Sequence, residues 1–144
     1  MYFPNIKKRE VGHLAQKIAF VIEKGDIILL NGELGTGKTY FSSQLCKHLG
    51  VKTQVNSPSY ILLNEYQGNF LIFHYDLFRL SKAEEALELG IMNRLNDGIT
   101  IIEWANVIKS FLPQNYLEIL FEYSTKFRDI TIQKYWNKQT PFLL

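Results

Sequence analysis

Cysteine is almost missing: the 144-residue sequence holds only Cys46, so no internal disulfide can form and no zinc-binding thiol set can begin. A reducing compartment is expected, with Cys46 a small apolar residue on the buried face of a helix. An excess of charge is missing too. The formal net charge is +2, which gives no general electrostatic grip on a nucleic acid, so any RNA contact must be local or supplied by a partner. No apolar run approaches the roughly 18 residues of a membrane span. The first residues lack a basic segment followed by an apolar stretch and small cleavage residues. The expectation is a cytoplasmic protein with no membrane partner. Repeats, low-complexity tracts and linkers are also lacking. With 47% hydrophobic and 21% charged residues, disorder is disfavoured, and the length suits one domain spanning 1–144.

Hydrophobic spacing supplies the elements. Residues 11–23 place Val11, Leu14, Ala15, Ile18, Ala19 and Ile22 three and four apart, one face of a helix. Ile27-Ile28-Leu29-Leu30 is a continuous apolar run, which reads as a strand buried on both faces in a parallel sheet. A glycine loop follows, then a helix over 38–49 closed by Gly50. Pro58 breaks the chain before a strand over 60–66, and Gly68-Asn69 turns it into a second strand over 70–75, an antiparallel hairpin. Ser81 with Glu84 has the spacing of a capping box, predicting a helix toward Gly90, and weak helical periodicity resumes over 91–95. Ile99 to Ile102 form another buried strand ending at Glu103-Trp104. After a short helix to Phe111, segments 116–123 and 129–132 make a terminal hairpin. The expected class is α/β: a mixed sheet with a parallel core, antiparallel hairpin additions and helices on both faces.

Gly32-Glu33-Leu34-Gly35-Thr36-Gly37-Lys38-Thr39 fits G-x-x-x-x-G-K-[ST]. A chain this long matches that pattern by chance roughly once in a few hundred. The context strengthens the match, because a strand ends at Leu30 and a helix starts at Lys38. The glycines let successive backbone N–H groups turn inward around a phosphate, and the helix N-terminus adds partial positive charge. Lys38 is expected to reach the β- and γ-phosphates and the Thr39 hydroxyl to ligate Mg²⁺, so a magnesium nucleoside triphosphate is the expected ligand. Residues 33–40, Glu33 and Tyr40 included, are taken as its binding segment.

Such a loop hydrolyses nothing without an acid near the metal and a group that orients water. Glu103 emerges at the carboxyl end of its strand, where open α/β sheets place ligands, and Asp76 follows the strand 70–75. Residue type alone leaves surface carboxylates as an equal alternative. Trp104 and Phe73-His74-Tyr75 are read as core packing, with His74 structural.

Together with Ser57-Pro58-Ser59-Tyr60, His74-Tyr75-Asp76-Leu77-Phe78-Arg79-Leu80, Glu84-Glu85, Leu89-Gly90-Ile91 and Glu103-Trp104, the phosphate loop resembles the TsaE (formerly YjeE) family. That family consists of small bacterial ATPases required for the threonylcarbamoyladenosine modification of tRNA. The resemblance implies a P-loop NTPase fold, ATP and Mg²⁺ as ligands, TsaD and TsaB as partners, and tRNA reached through that complex. It implies that Lys38, Asp76 and Glu103 act in hydrolysis, Glu103 as a second magnesium-associated residue and Asp76 by positioning water. Ser57 and Ser59 resemble a switch-like segment near the γ-phosphate, although the family usually has threonine where Ser59 stands. Lys8, beside Lys7, matches a stretch near the adenosine, and Arg128 matches a hairpin arginine at the nucleotide. Two other readings stay open. One is a small P-loop kinase acting on a metabolite, which the scatter of Arg9, Arg79, Arg94 and Arg128 disfavours for want of an arginine-rich lid. The other is a nucleotide-operated binding switch whose own hydrolysis is incidental.

Overall fold

A computed structural model describes residues 1–58 and 61–138. The strands are β1 (Tyr2–Ile6), β2 (Ile27–Asn31), β3 (Leu63–Gln67), β4 (Leu71–Asp76), β5 (Ile99–Glu103), β6 (Leu117–Tyr123) and β7 (Arg128–Lys134). The helices are α1 (Lys8–Val21), α2 (Lys38–His48), α3 (Ala83–Glu88) and α4 (Ile91–Arg94). All seven strands form one sheet in the order β1-β7-β6-β2-β5-β4-β3. β2 lies parallel to β5 and β6, and β4 lies parallel to β5; β3, β7 and β1 add antiparallel at the two edges. The expected mixed sheet with a parallel core is therefore observed.

Strand periodicity explains why β2 is apolar at successive positions. Ile28 and Leu30 pack with Leu14 and Ile18 of α1 and Phe41 and Leu45 of α2. Ile27 and Leu29 point the other way, into a cluster with Ala86, Ile91, Leu95 and Ile108. Helices thus cover both faces, the condition that removes polar alternation from a central strand. Phe41 of α2 also meets Phe121 of β6, with ring centroids 5.8 Å apart.

Cys46 lies fully buried on the inner face of α2, as its sequence context implies. Burial pushes its thiol pKa up to about 12. Since the thiolate is the nucleophile, Cys46 is expected to resist thiol reagents at mildly alkaline pH in the folded protein and to react at once in denaturant. A colorimetric thiol assay checks this, and equal rates in both states would contradict it.

Several boundaries differ from the sequence expectation for local reasons. α1 starts at Lys8, not at residue 11, because Glu10 accepts the Lys7 amide proton at 2.8 Å and fixes a solvent-facing first turn that apolar periodicity does not mark. The extended N-terminus is an edge strand, with Tyr2 opposite Thr131 of β7. The half-box before α3 uses Glu85, which accepts from the Lys82 amide at 3.2 Å and from the Ser81 hydroxyl at 3.3 Å, in place of Ser81 with Glu84. Lysine has no acceptor, so the reciprocal bond of a full capping box is missing there. β3 begins at Leu63 because the amides of Ile61 and Leu62 both turn back to the Pro58 carbonyl. The short helix before Phe111 is a pair of 3₁₀ turns, Ala105–Val107 and Lys109–Phe111.

Candidate phosphate-binding site

The loop between β2 and α2 leaves the sheet at its carboxyl edge, and its shape depends on glycine at two points. A Cβ on Gly32, whose φ is +142°, would overlap the Phe121 carbonyl of neighbouring β6. Gly37 caps α2 in the left-handed conformation, φ +111°, so the helix can begin directly at Lys38. Within the loop, Thr36 donates its hydroxyl to the Glu33 carbonyl at 2.7 Å and its amide to the same oxygen at 3.3 Å.

Lys38 is 6% exposed and directs its ammonium back across the loop, to the Gly32 carbonyl and to the Glu33 carbonyl at 3.2 Å. The same nitrogen stands 4.6 Å from the centre of the Trp104 ring. Burial pushes the Lys38 pKa below its ordinary value, while the carboxylates of Glu103, Asp76 and Glu33 oppose that shift. A cation held near neutral carbonyls and desolvated in this way is well suited to exchange them for phosphate oxygens.

The two acids come from adjacent parallel strands. Asp76 ends β4 and Glu103 ends β5, and they are partners in register. Both are nearly inaccessible, at 4% and 2% exposure. They share the α2 side of the sheet, since Asp76 follows Ile72 and His74, and Glu103 follows Ile101, at spacings of two. His74, fully buried two residues before Asp76, has Nε2 2.9 Å from Glu103 Oε2. That bond compensates a buried carboxylate and fixes one of its oxygens. Asp76 Oδ1 accepts the Phe78 amide proton at 3.0 Å, and Ser57 donates its hydroxyl to Asp76 Oδ2 at 3.4 Å.

Lys38, Thr39, Ser57, Asp76, Glu103 and Trp104 line one cleft of about 200 Å³. Thr39 is exposed on it. The structure thus brings the loop, both acids and Ser57 together, whereas Ser59 lies outside the described residues. Leu34 and Glu33 are exposed at the loop apex, and Gly35 and Gly37 border the cleft. On the far side of Gly37, Lys8, Tyr40 and Arg128 line a second hollow of about 340 Å³, with the Lys8 ammonium 4.7 Å over the Tyr40 ring. Phe73 and Tyr75 are core residues as expected. Trp104 departs from that expectation. It takes a left-handed backbone, φ +57°, directly after Glu103, packs on Phe78 at 4.9 Å and faces the cleft. A strained non-glycine residue at such a place is a mark of a site that sequence reading cannot supply.

The donor set suits magnesium. Among the described residues no three or more His, Cys, Asp and Glu side chains cluster as a metal cage. Mg²⁺ at phosphates, however, takes only one or two carboxylates, with waters and phosphate oxygens completing the octahedron. The Thr39 hydroxyl and the Glu103 and Asp76 carboxylates are hard oxygen donors on one cleft, and they fit that pattern.

A sheet with a parallel core and a glycine loop entering a lysine-headed helix, with carboxylates at the ends of neighbouring parallel strands, defines a P-loop NTPase fold. Residues 6–131 match the family model described as threonylcarbamoyl adenosine biosynthesis protein TsaE, and the chain belongs to that family. It is 42% identical to the tRNA threonylcarbamoyladenosine biosynthesis protein TsaE of Rickettsia felis over 80% of this chain and 68% of the relative. To the protein of the same description from Bacillus subtilis it is 32% identical, over 81% of this chain and 74% of the relative. The crystal structure of Bacillus subtilis YdiB superposes with a TM-score of 0.78 at 26% identity, covering 95% of this chain and 86% of the other. No helix among the described residues is long and apolar enough to cross a membrane.

Proposed function

We propose that this chain, folded as one domain, is a Mg²⁺-dependent ATPase that hydrolyses ATP to ADP and phosphate as a cytoplasmic subunit of the tRNA threonylcarbamoyladenosine machinery, acting with TsaD and TsaB. The observation that carries the reading is the register pairing of Asp76 with Glu103 on the cleft that also holds Lys38 and Thr39. Family membership supplies the pathway. Backbone amides of residues 33–39 and the start of α2 cradle the phosphates, and Lys38 neutralises the β- and γ-oxygens. Thr39 and Glu103 hold the metal, which when bound offsets charge developing on the phosphates. Asp76 accepts a hydrogen bond from the attacking water and orients it in line with the γ-phosphate; Ser57, bonded to Asp76, responds to that end of the nucleotide. Lys8, Tyr40 and Arg128 border the hollow on the nucleoside side.

The test is ATP turnover by the pure chain, alone and with the TsaD–TsaB pair and tRNA. Free phosphate is the expected product, released faster and repeatedly when partners and tRNA are present. Transfer of the γ-phosphate to a small metabolite would overturn the reading in favour of a kinase.

A further inference from the structure

The phosphate loop has an outer side, and the tip of the β6–β7 hairpin is fastened to it. The tip is the register pair Tyr123 and Arg128, the last before the turn that Ser124 and Phe127 close. Tyr123 donates its hydroxyl proton to the Leu34 carbonyl. Arg128 donates from Nη2 to the Gly35 carbonyl at 3.3 Å and from Nε to the Thr36 carbonyl at 3.1 Å. Its Nη1 is occupied by the Phe127 carbonyl at 2.8 Å, and the guanidinium lies 4.5 Å over the Tyr123 ring. Gly35 is matched to this contact, because a Cβ there would come within 2.8 Å of the Tyr123 hydroxyl oxygen.

Three consecutive carbonyls, of Leu34, Gly35 and Thr36, are therefore drawn toward the hairpin. In a trans peptide unit the N–H points opposite to the C=O. The amides of Gly35, Thr36 and Gly37 must then face away from the hairpin, and among them only that of Thr36 is bonded within the loop, at 3.3 Å to Glu33. Successive amides turned to one side are the geometry of an anion nest.

We infer that Tyr123 and Arg128 are positioning residues that hold the loop carbonyls on its outer side, so that its amides are set for phosphate before a nucleotide arrives. Affinity then rises because less backbone freedom is lost on binding. The inference rests on the phosphate-site reading above, and it gives Arg128 a task different from direct contact with the nucleotide.

Two variants of the full chain test it. Tyr123→Phe deletes one hydroxyl and keeps the ring beneath the guanidinium; Arg128→Met deletes both loop bonds and keeps an apolar stem. Without nucleotide, ¹⁵N relaxation should show larger motion of the Gly35 and Gly37 amides in each variant, while the melting temperature stays close to that of the parent. With Mg²⁺ and ADP, calorimetry should show affinity reduced by about three- to tenfold for Tyr123→Phe, the worth of one hydrogen bond, and by more for Arg128→Met. Unmoved loop amides with unchanged affinity would overturn the inference. So would an affinity loss in Arg128→Met alone with the loop amides unmoved, which would return Arg128 to direct contact. If the parent chain binds no ADP, the phosphate-site reading fails, whereas the relaxation measurement still decides whether the hairpin orders the loop.

Discussion

Lys38→Ala is expected to lower ATP affinity by at least about thirtyfold and to remove turnover, because the substitution deletes a cation that the fold has already desolvated. Truncating one member of a buried, hydrogen-bonded charge contact costs about 2–5 kcal/mol. The Lys38 ammonium is confined between the Gly32 and Glu33 carbonyls and the Trp104 ring, at the head of the helix that follows the loop. Arginine is not an equivalent, since its planar fork does not match a position built for a compact point charge. Displacement of a fluorescent nucleotide measures the binding loss, and phosphate release measures the turnover. Retained affinity in Lys38→Ala would mean that the ammonium serves only to tie the loop.

Asp76→Asn is expected to leave ATP binding near the parent value while slowing hydrolysis by about 10² to 10⁴, the usual contribution of a carboxylate that handles a proton or orients water. Asparagine keeps an oxygen for the Phe78 amide and an amide group that can still meet the Ser57 hydroxyl. The substitution thus removes the charge and keeps these two contacts. Asp76→Ala is expected to stop hydrolysis as well, but it also removes the acceptor of the half-buried Phe78 amide, a further cost of about 1 kcal/mol in stability. Comparing the two separates chemistry from folding. Hydrolysis at the parent rate in Asp76→Asn would refute the water-positioning role.

The phosphate loop was readable in the sequence because it is contiguous: strand, glycines, lysine and helix fall between Ile27 and His48. The acids were readable only in part: Glu103 ends a buried strand at the edge where open α/β sheets place ligands, but residue type left an idle carboxylate equally open for it and for Asp76. Their pairing in register was not, since it depends on β4 and β5 lying side by side across an intervening pair of helices. Contacts of longer range left no local trace. Tyr123 reaches Leu34 across 89 residues, and Arg128 reaches Thr36 across 92. Similarly, β1 shows no alternation that marks it as a strand; its pairing with β7 is secured by Asp129, which accepts from the Tyr2 hydroxyl at 2.8 Å and the Asn5 amide at 2.9 Å. His74 was read as structural, and it is, but the group it supports is the Glu103 carboxylate at the cleft. Trp104 reads as core packing in the sequence, because nothing local there signals the left-handed backbone that places its ring at the site.

The central claim is that the loop before α2, with Lys38 and Thr39, takes up a triphosphate together with magnesium. Titration of ATP into the full chain by calorimetry, with Mg²⁺ and again with the metal chelated, tests it most directly. The account predicts saturable one-to-one binding that weakens sharply on chelation. An absence of binding heat across temperatures in the presence of Mg²⁺, or uptake indifferent to the metal, would contradict it.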